Sequence, residues 1–125
     1  MIVLVDDVRW FRDGRECLIA RSSARAVELL GSHAGGHIDE LWLDHDLGGS
    51  DTVMPVIDLL CSQRFDVRTV WIHSFNSRGA VVMHQRLTAA GYAPRHHYDV
   101  RIWSHSRPEE LSDPPGTVGD RGGQR

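Results

Sequence analysis

Short apolar runs that stop abruptly at charged residues recur along the chain. Ile2-Val3-Leu4-Val5 stops at Asp6-Asp7, Leu41-Trp42-Leu43 stops at Asp44-His45-Asp46, and Val70-Trp71-Ile72 stops at His73-Ser74. Continuous, β-branched-rich runs of this length read as strands covered on both faces, as in a parallel sheet. We therefore expect strands at Ile2–Val5, Glu16–Ala20, Ile38–Leu43, Val67–Ile72 and Tyr98–Trp103. Val8 to Arg15 is mixed and contains Asp13-Gly14, a turn signal, so no helix is expected there.

Helical spacing fills the intervals between the later runs. Ser22-Ser23 supplies a cap for Ala26, Val27, Leu29 and Leu30, and Gly31 ends that helix. Val53, Val56, Ile57 and Leu60 fall at i, i+3, i+4 and i+7, with Ser50 or Asp51 as cap and Pro55 in the first turn. Asn76 or Ser77 caps a third helix bearing Ala80, Met83, Leu87 and Ala90, stopped by Gly91. Strands alternating with helices predict an α/β fold, a mostly parallel five-stranded sheet with helices on both sides. In such sheets ligands collect beyond the carboxyl ends of the strands, where the charged residues fall. The pattern fails from Ser104 onward. Residues 1–103 are expected to form the domain and residues 104–125 a flexible tail rich in Ser, Pro, Gly and charge.

Composition narrows the picture. A chain of 125 residues with 41% hydrophobic content suits a single domain. No apolar run approaches the roughly 20 residues that span a bilayer, and Met1 leads directly into a strand with no secretory signal before it. Cys17 and Cys61 lack metal or framework spacing and read as free thiols, so a reducing cytoplasm is the expected location. The formal net charge of -3 offers no general basic surface for duplex DNA. There is no Lys anywhere, so chemistry that requires a lysine is excluded.

Asp6-Asp7 after the first strand, Asp44 after the third and Ser74 after the fourth resemble response-regulator receiver domains. In those, paired acids and a phosphoacceptor Asp hold Mg²⁺, a hydroxyl follows the fourth strand and a Lys follows the fifth. That Lys is missing here, and the helix between the first two strands is reduced to a loop. A fuller set is Asp6-Asp7-Val8-Arg9, Leu43-Asp44-His45-Asp46-Leu47-Gly48 and His73-Ser74-Phe75-Asn76 with Gly79-Ala80. It resembles the cyclic-phosphate-processing receiver-like family over roughly residues 1 to 103. The resemblance implies a receiver/flavodoxin-like three-layer sandwich. It also implies a hydrolase acting on a cyclic phosphate, either a 2′,3′-cyclic nucleotide or an RNA end.

On that reading Asp6, Asp7, Asp44 and Asp46 crowd carboxylates together. A hard divalent ion, Mg²⁺ or Mn²⁺, is the simplest remedy for their repulsion, and it would steady charge on a phosphate. Alternatively some of these acids only cap helices or turns, Asp46 before Leu47-Gly48-Gly49 above all. His45 and His73 are expected to act as an acid–base pair, or else merely to bond strand-end carboxylates. Ser74 and Asn76 would donate to phosphate oxygens, with Asn76 equally suited to a plain N-cap. Arg9 would clamp the phosphate, or pair with Asp6 or Asp7 on the surface. Trp10 is the tryptophan expected to touch a nucleobase, while Trp42, Trp71 and Trp103 read as core. A second class of function, a non-catalytic module that senses a phosphate or a protein partner, fits the same residues.

Overall fold

In chain order the elements are β1 (Ile2–Val5), β2 (Trp10–Phe11), β3 (Leu18–Ala20), α1 (Ser23–Ser32), β4 (His37–Leu43), α2 (Met54–Ser62), β5 (Asp66–Ile72), α3 (Ser77–Ala89), β6 (Arg95–His96) and β7 (Trp103–Ser104). They come from a computed structural model, which describes residues 1–107. Contacts divide the chain into two units, Met1–Asp7 with Glu16–Tyr98, and Val8–Arg15 with the chain from Asp99.

The first unit holds a five-stranded sheet in the order β3-β1-β4-β5-β6, with every pairing parallel. The receiver/flavodoxin-like α/β class is therefore the fold. Val3, Leu4 and Val5 are fully buried, as a strand covered on both faces must be. The steps from β3 to β4, β4 to β5 and β5 to β6 all run in one direction across the sheet. Right-handed crossovers then place α1, α2 and α3 on the same face. Ala26, Leu29, Leu30, Val56, Ile57, Leu60, Met83 and Leu87 accordingly form one cluster with Val3, Val5, Leu41, Leu43, Val70 and Ile72. Helices were expected on both sides. The step from β1 to β3 runs the other way and would supply the second layer, but it carries β2 instead of a helix. Strand residues of the opposite parity include Leu4, Trp42 and Trp71, and the two indoles stack with centroids 5.1 Å apart.

Two expectations shift. The fifth strand of the sheet is Arg95–His96, registered against Trp71 and Ile72, not Tyr98–Trp103. Tyr98, Val100 and Ile102 alternate like a strand. Instead, Asp99 caps a 3-10 turn at Val100–Ile102, accepting from the amide of Arg101. The second correction concerns α2. Its N-cap is Val53, with no side-chain bond, and Pro55 sits in its first turn. The expected cap, Asp51, reaches the start of α1 instead, accepting from the Ser23 amide at 2.9 Å and the Ser23 hydroxyl at 2.5 Å. Gly48 and Gly49, with φ of 92° and 56°, turn the loop back and aim Asp51 there.

In the second unit β2 pairs antiparallel with β7, so Ser104 belongs to a strand opposite Trp10. Phe11 and Trp103 are buried against each other with centroids 4.9 Å apart. Residues 108–125 of the expected tail lie outside the described residues. Among the described residues no helix is long and apolar enough to cross a membrane.

The Ser23 hydroxyl, followed by the Ser23 amide, holds the Asp51 carboxyl below its usual range. A carboxyl lowered on folding adds stability above the unfolded pKa and loses it as pH falls through the folded value. Asp51→Ala should cost about 1 kcal/mol in urea unfolding at pH 7. The gap to wild type should shrink once pH drops below about 3.9. A pH-independent gap would show that the charge on Asp51 is not what matters.

Candidate functional site

Register alone assembles the first cluster. Val5 pairs with Leu43, and Leu43 with Ile72. The ladder continues one step, with the Asp44 amide on the Val5 carbonyl and the His73 amide on the Leu43 carbonyl, both at 3.1 Å. Asp6, Asp44 and His73 therefore stand side by side with one parity. All three are buried, and each offers a ligand-type atom within 4.8 Å of the others. His73 Nε2 lies 2.9 Å from Asp6 Oδ2.

The row extends both ways across the sheet. Ala20 pairs with Val5, so Arg21 follows beside Asp6, and its Nη1 donates to the Asp6 carbonyl at 3.0 Å. Burial draws the Arg21 guanidinium below its usual pKa, while Asp6 and Asp7 pull it back up. At the other end the His97 amide donates to the Ile72 carbonyl at 2.9 Å, placing His97 beside His73. The His97 ring meets Trp42 and Trp71 edge-on, at 5.2 and 5.6 Å between centroids.

His45 leaves β4 with the parity opposite to Asp44, toward the helices. Its ring lies against Gly79 in the first turn of α3, where an added Cβ would fall 2.5 Å from the imidazole Cγ and Cδ2. Nδ1 of His45 is 2.8 Å from Asp46 Oδ1. A carboxylate only accepts, so Nδ1 carries the proton and Nε2 is the acceptor in the neutral ring. Asn76 ties the group together. Its Oδ1 accepts from the Gly79 amide at 2.9 Å as the N-cap of α3, and its Nδ2 donates to Asp46 at 3.3 Å. The bond from His45 holds the Asp46 carboxyl below its usual range, burial opposes this, and the Asn76 bond reinforces it. An open depression of about 260 Å³ lies here, lined by His45, Met54, Asn76, Arg78, Gly79 and Val82.

Most of the expected residues thus fall into two sets, Asp6, Asp44 and His73 at the strand tips and His45, Asp46 and Asn76 at the start of α3, while Asp7 and Arg9 belong to neither. Asp6 and Asp44 come together as a potential ligand pair, but the third position belongs to His73. Asp7 lies over Gly48, with Oδ2 3.3 Å from where a Cβ would stand, and Asp46 serves His45. The expectation that His45 and His73 flank one phosphate is revised. They occupy different sets, and the His73 side chain is fully enclosed, whereas that of His45 is 15% exposed. Ser74 Oγ accepts from the Asn76 amide at 3.1 Å. Arg9 belongs to the second unit, its guanidinium 5.9 Å from the Trp103 ring centre, and Arg107 covers Trp10 in the same unit.

Arg21 and Arg78 carry no role in the sequence reading, Gly79 enters it only within a motif, and His97 only as a residue expected to face solvent. Arg21 was the most accessible of these, because it ends the run Leu18-Ile19-Ala20 just as Asp6 ends its own run. His96, next to His97, pairs with His84 at 3.0 Å, and burial followed by the neighbouring imidazole lowers its pKa.

The donor set of two carboxylates and one imidazole suits a divalent ion of the Mn²⁺ type, and less well the all-oxygen shell that Mg²⁺ prefers. In comparisons with known proteins, the sequence pattern of the family described as the cyclic-phosphate processing receiver domain matches residues 1–89. That span runs from β1 to the end of α3. No curated protein matches the chain.

Gly79→Ala should push the His45 ring away from α3 and break its bond to Asp46. The Asp46 carboxyl would then titrate closer to about 3.9, visible in carboxyl ¹³C NMR. An unchanged Asp46 titration would show that the ring does not depend on the glycine.

Proposed function

The chain belongs to the cyclic-phosphate processing receiver domain family, and from that we propose that it opens cyclic phosphates by hydrolysis at the His45 depression. The observation that carries this reading is the oriented imidazole. His45 is held by Asp46, seated on Gly79, and borders an open cavity that Arg78 also lines. A carboxylate that fixes the tautomer of a histidine leaves the other nitrogen free to take a proton, the logic of catalytic triads.

Nε2 of His45 accepts a proton from water as the water oxygen attacks phosphorus. The ring P–O bond to one ribose oxygen breaks, and that oxygen takes up the proton that the His45 imidazolium gives back through solvent. One water is consumed and a phosphomonoester results. Arg78 would grip the non-bridging oxygens, assisted by the amides that open the 13-residue α3. His73, enclosed and bonded to Asp6, is assigned to the strand-tip cluster and not to direct proton transfer. A divalent ion held by Asp6, Asp44 and His73, Mn²⁺ or Mg²⁺, would supply charge neutralisation and Lewis acidity at the tips of the strands.

The test is turnover of a panel of 2′,3′-cyclic nucleotides, with and without Mn²⁺ or Mg²⁺ after chelation. His45→Ala should lower kcat about 100-fold or more with the fold intact by circular dichroism. Asp44→Asn should abolish any gain from added metal. Full activity in His45→Ala removes the assigned base. Nucleotide binding with no turnover under any condition would identify a sensing module in place of an enzyme.

A further inference from the structure

His45, Asn76 and Arg78 bring polar groups to the depression, and Met54 and Val82 give it an apolar wall. Resting on the cyclic-phosphate reading above, we infer that the apolar wall seats the base of a single terminal nucleotide and accepts any of the four bases.

Arg78 and Val82 are one turn apart on α3, at i and i+4, and therefore share a face. A turn rises about 5.4 Å, so a phosphate held by Arg78 and a base against Val82 are separated by the length that a ribose fills. Arg78 is suited to the anion. Arg15, Arg25, Arg86 and Arg101 are engaged by Asp13, Glu28, Asp58 and Asp99. Among the described residues no carboxylate engages Arg78 in this way.

Size and chemistry define the rest. A volume of about 260 Å³ falls just below the range of roughly 300–1,000 Å³ typical of drug-sized ligands, which matches one nucleotide and not a run of RNA. The wall itself carries a thioether and an isopropyl group. Neither can read the hydrogen-bonding edge of a base, and the methionine adapts its shape to what it meets. Discrimination by hydrogen bonding reaches several orders of magnitude, whereas apolar pockets distinguish poorly. The site should therefore require a base without selecting one.

The test is calorimetric binding of the four nucleoside 2′- and 3′-monophosphates, ribose 5-phosphate, and a short RNA ending in a 3′-phosphate. The four nucleotides should bind within about threefold of one another, and ribose 5-phosphate about tenfold more weakly. Val82→Ala, a favourable exchange on an exposed helix surface, should weaken every nucleotide and leave ribose 5-phosphate unchanged. Adding Met54→Ala should bring the loss to about tenfold. The RNA should match its free terminal nucleotide within about threefold. A preference above tenfold for one base, equal binding of ribose 5-phosphate, much tighter binding of the RNA, or no effect of Val82→Ala would each overturn the inference. The two readings fail differently. Base-dependent binding without turnover of any cyclic nucleotide keeps the seat and removes the hydrolase. Equal turnover of base-free ribose cyclic phosphate keeps the hydrolase and removes the seat.

Discussion

Burial of Asp6 and Asp44 side by side is the constraint on which the strand tips depend. Each occupies a position where the parallel ladder has just ended, and neither can turn to solvent. Removing carboxylates from water is expensive unless opposite charge or hydrogen-bond donors meet them. His73 supplies a donor to Asp6 from one neighbouring strand end, and Arg21 brings a guanidinium from the other side.

The second set of residues relies on helix geometry. Asn76 uses one end of its amide to cap α3 and the other to hold Asp46, so helix initiation and imidazole placement become a single event. The opening of α3 is thereby tied to the loop after β4. The alternatives of N-cap and site residue for Asn76 are not exclusive, because an amide has a separate donor and acceptor.

Much of this was legible in the chain because it is local. An apolar run that ends in charge announces a strand tip, and Ser22 and Asn76 announce helix starts through bonds to amides three residues on. What escaped depends on partners distant in sequence. His73 rather than Asp46 joins Asp6 and Asp44: strand parity alone would keep Asp44 and Asp46 on one face, but β4 ends at Leu43 and the loop beyond it turns Asp46 to His45. Asp51 resembles a cap for the helix that follows it, yet glycines redirect it to α1. Tyr98, Val100 and Ile102 carry the alternation of a strand, and only pairing reveals that the sheet closes earlier, at Arg95–His96. That all helices share one face follows from strand order, which no local pattern contains.

Consecutive residues Asp44 and His45 leave β4 in opposite directions, one toward the buried acids and one toward α3. Loss or gain of a single residue within His37–Leu43 would exchange those directions along the whole strand end. The imidazole would enter the acidic row and a carboxylate would face Gly79. The length of β4 is thus a stricter requirement than any side chain within it. Leu41 could become another aliphatic residue at modest cost, whereas a frame of one codon would invert both centres at once.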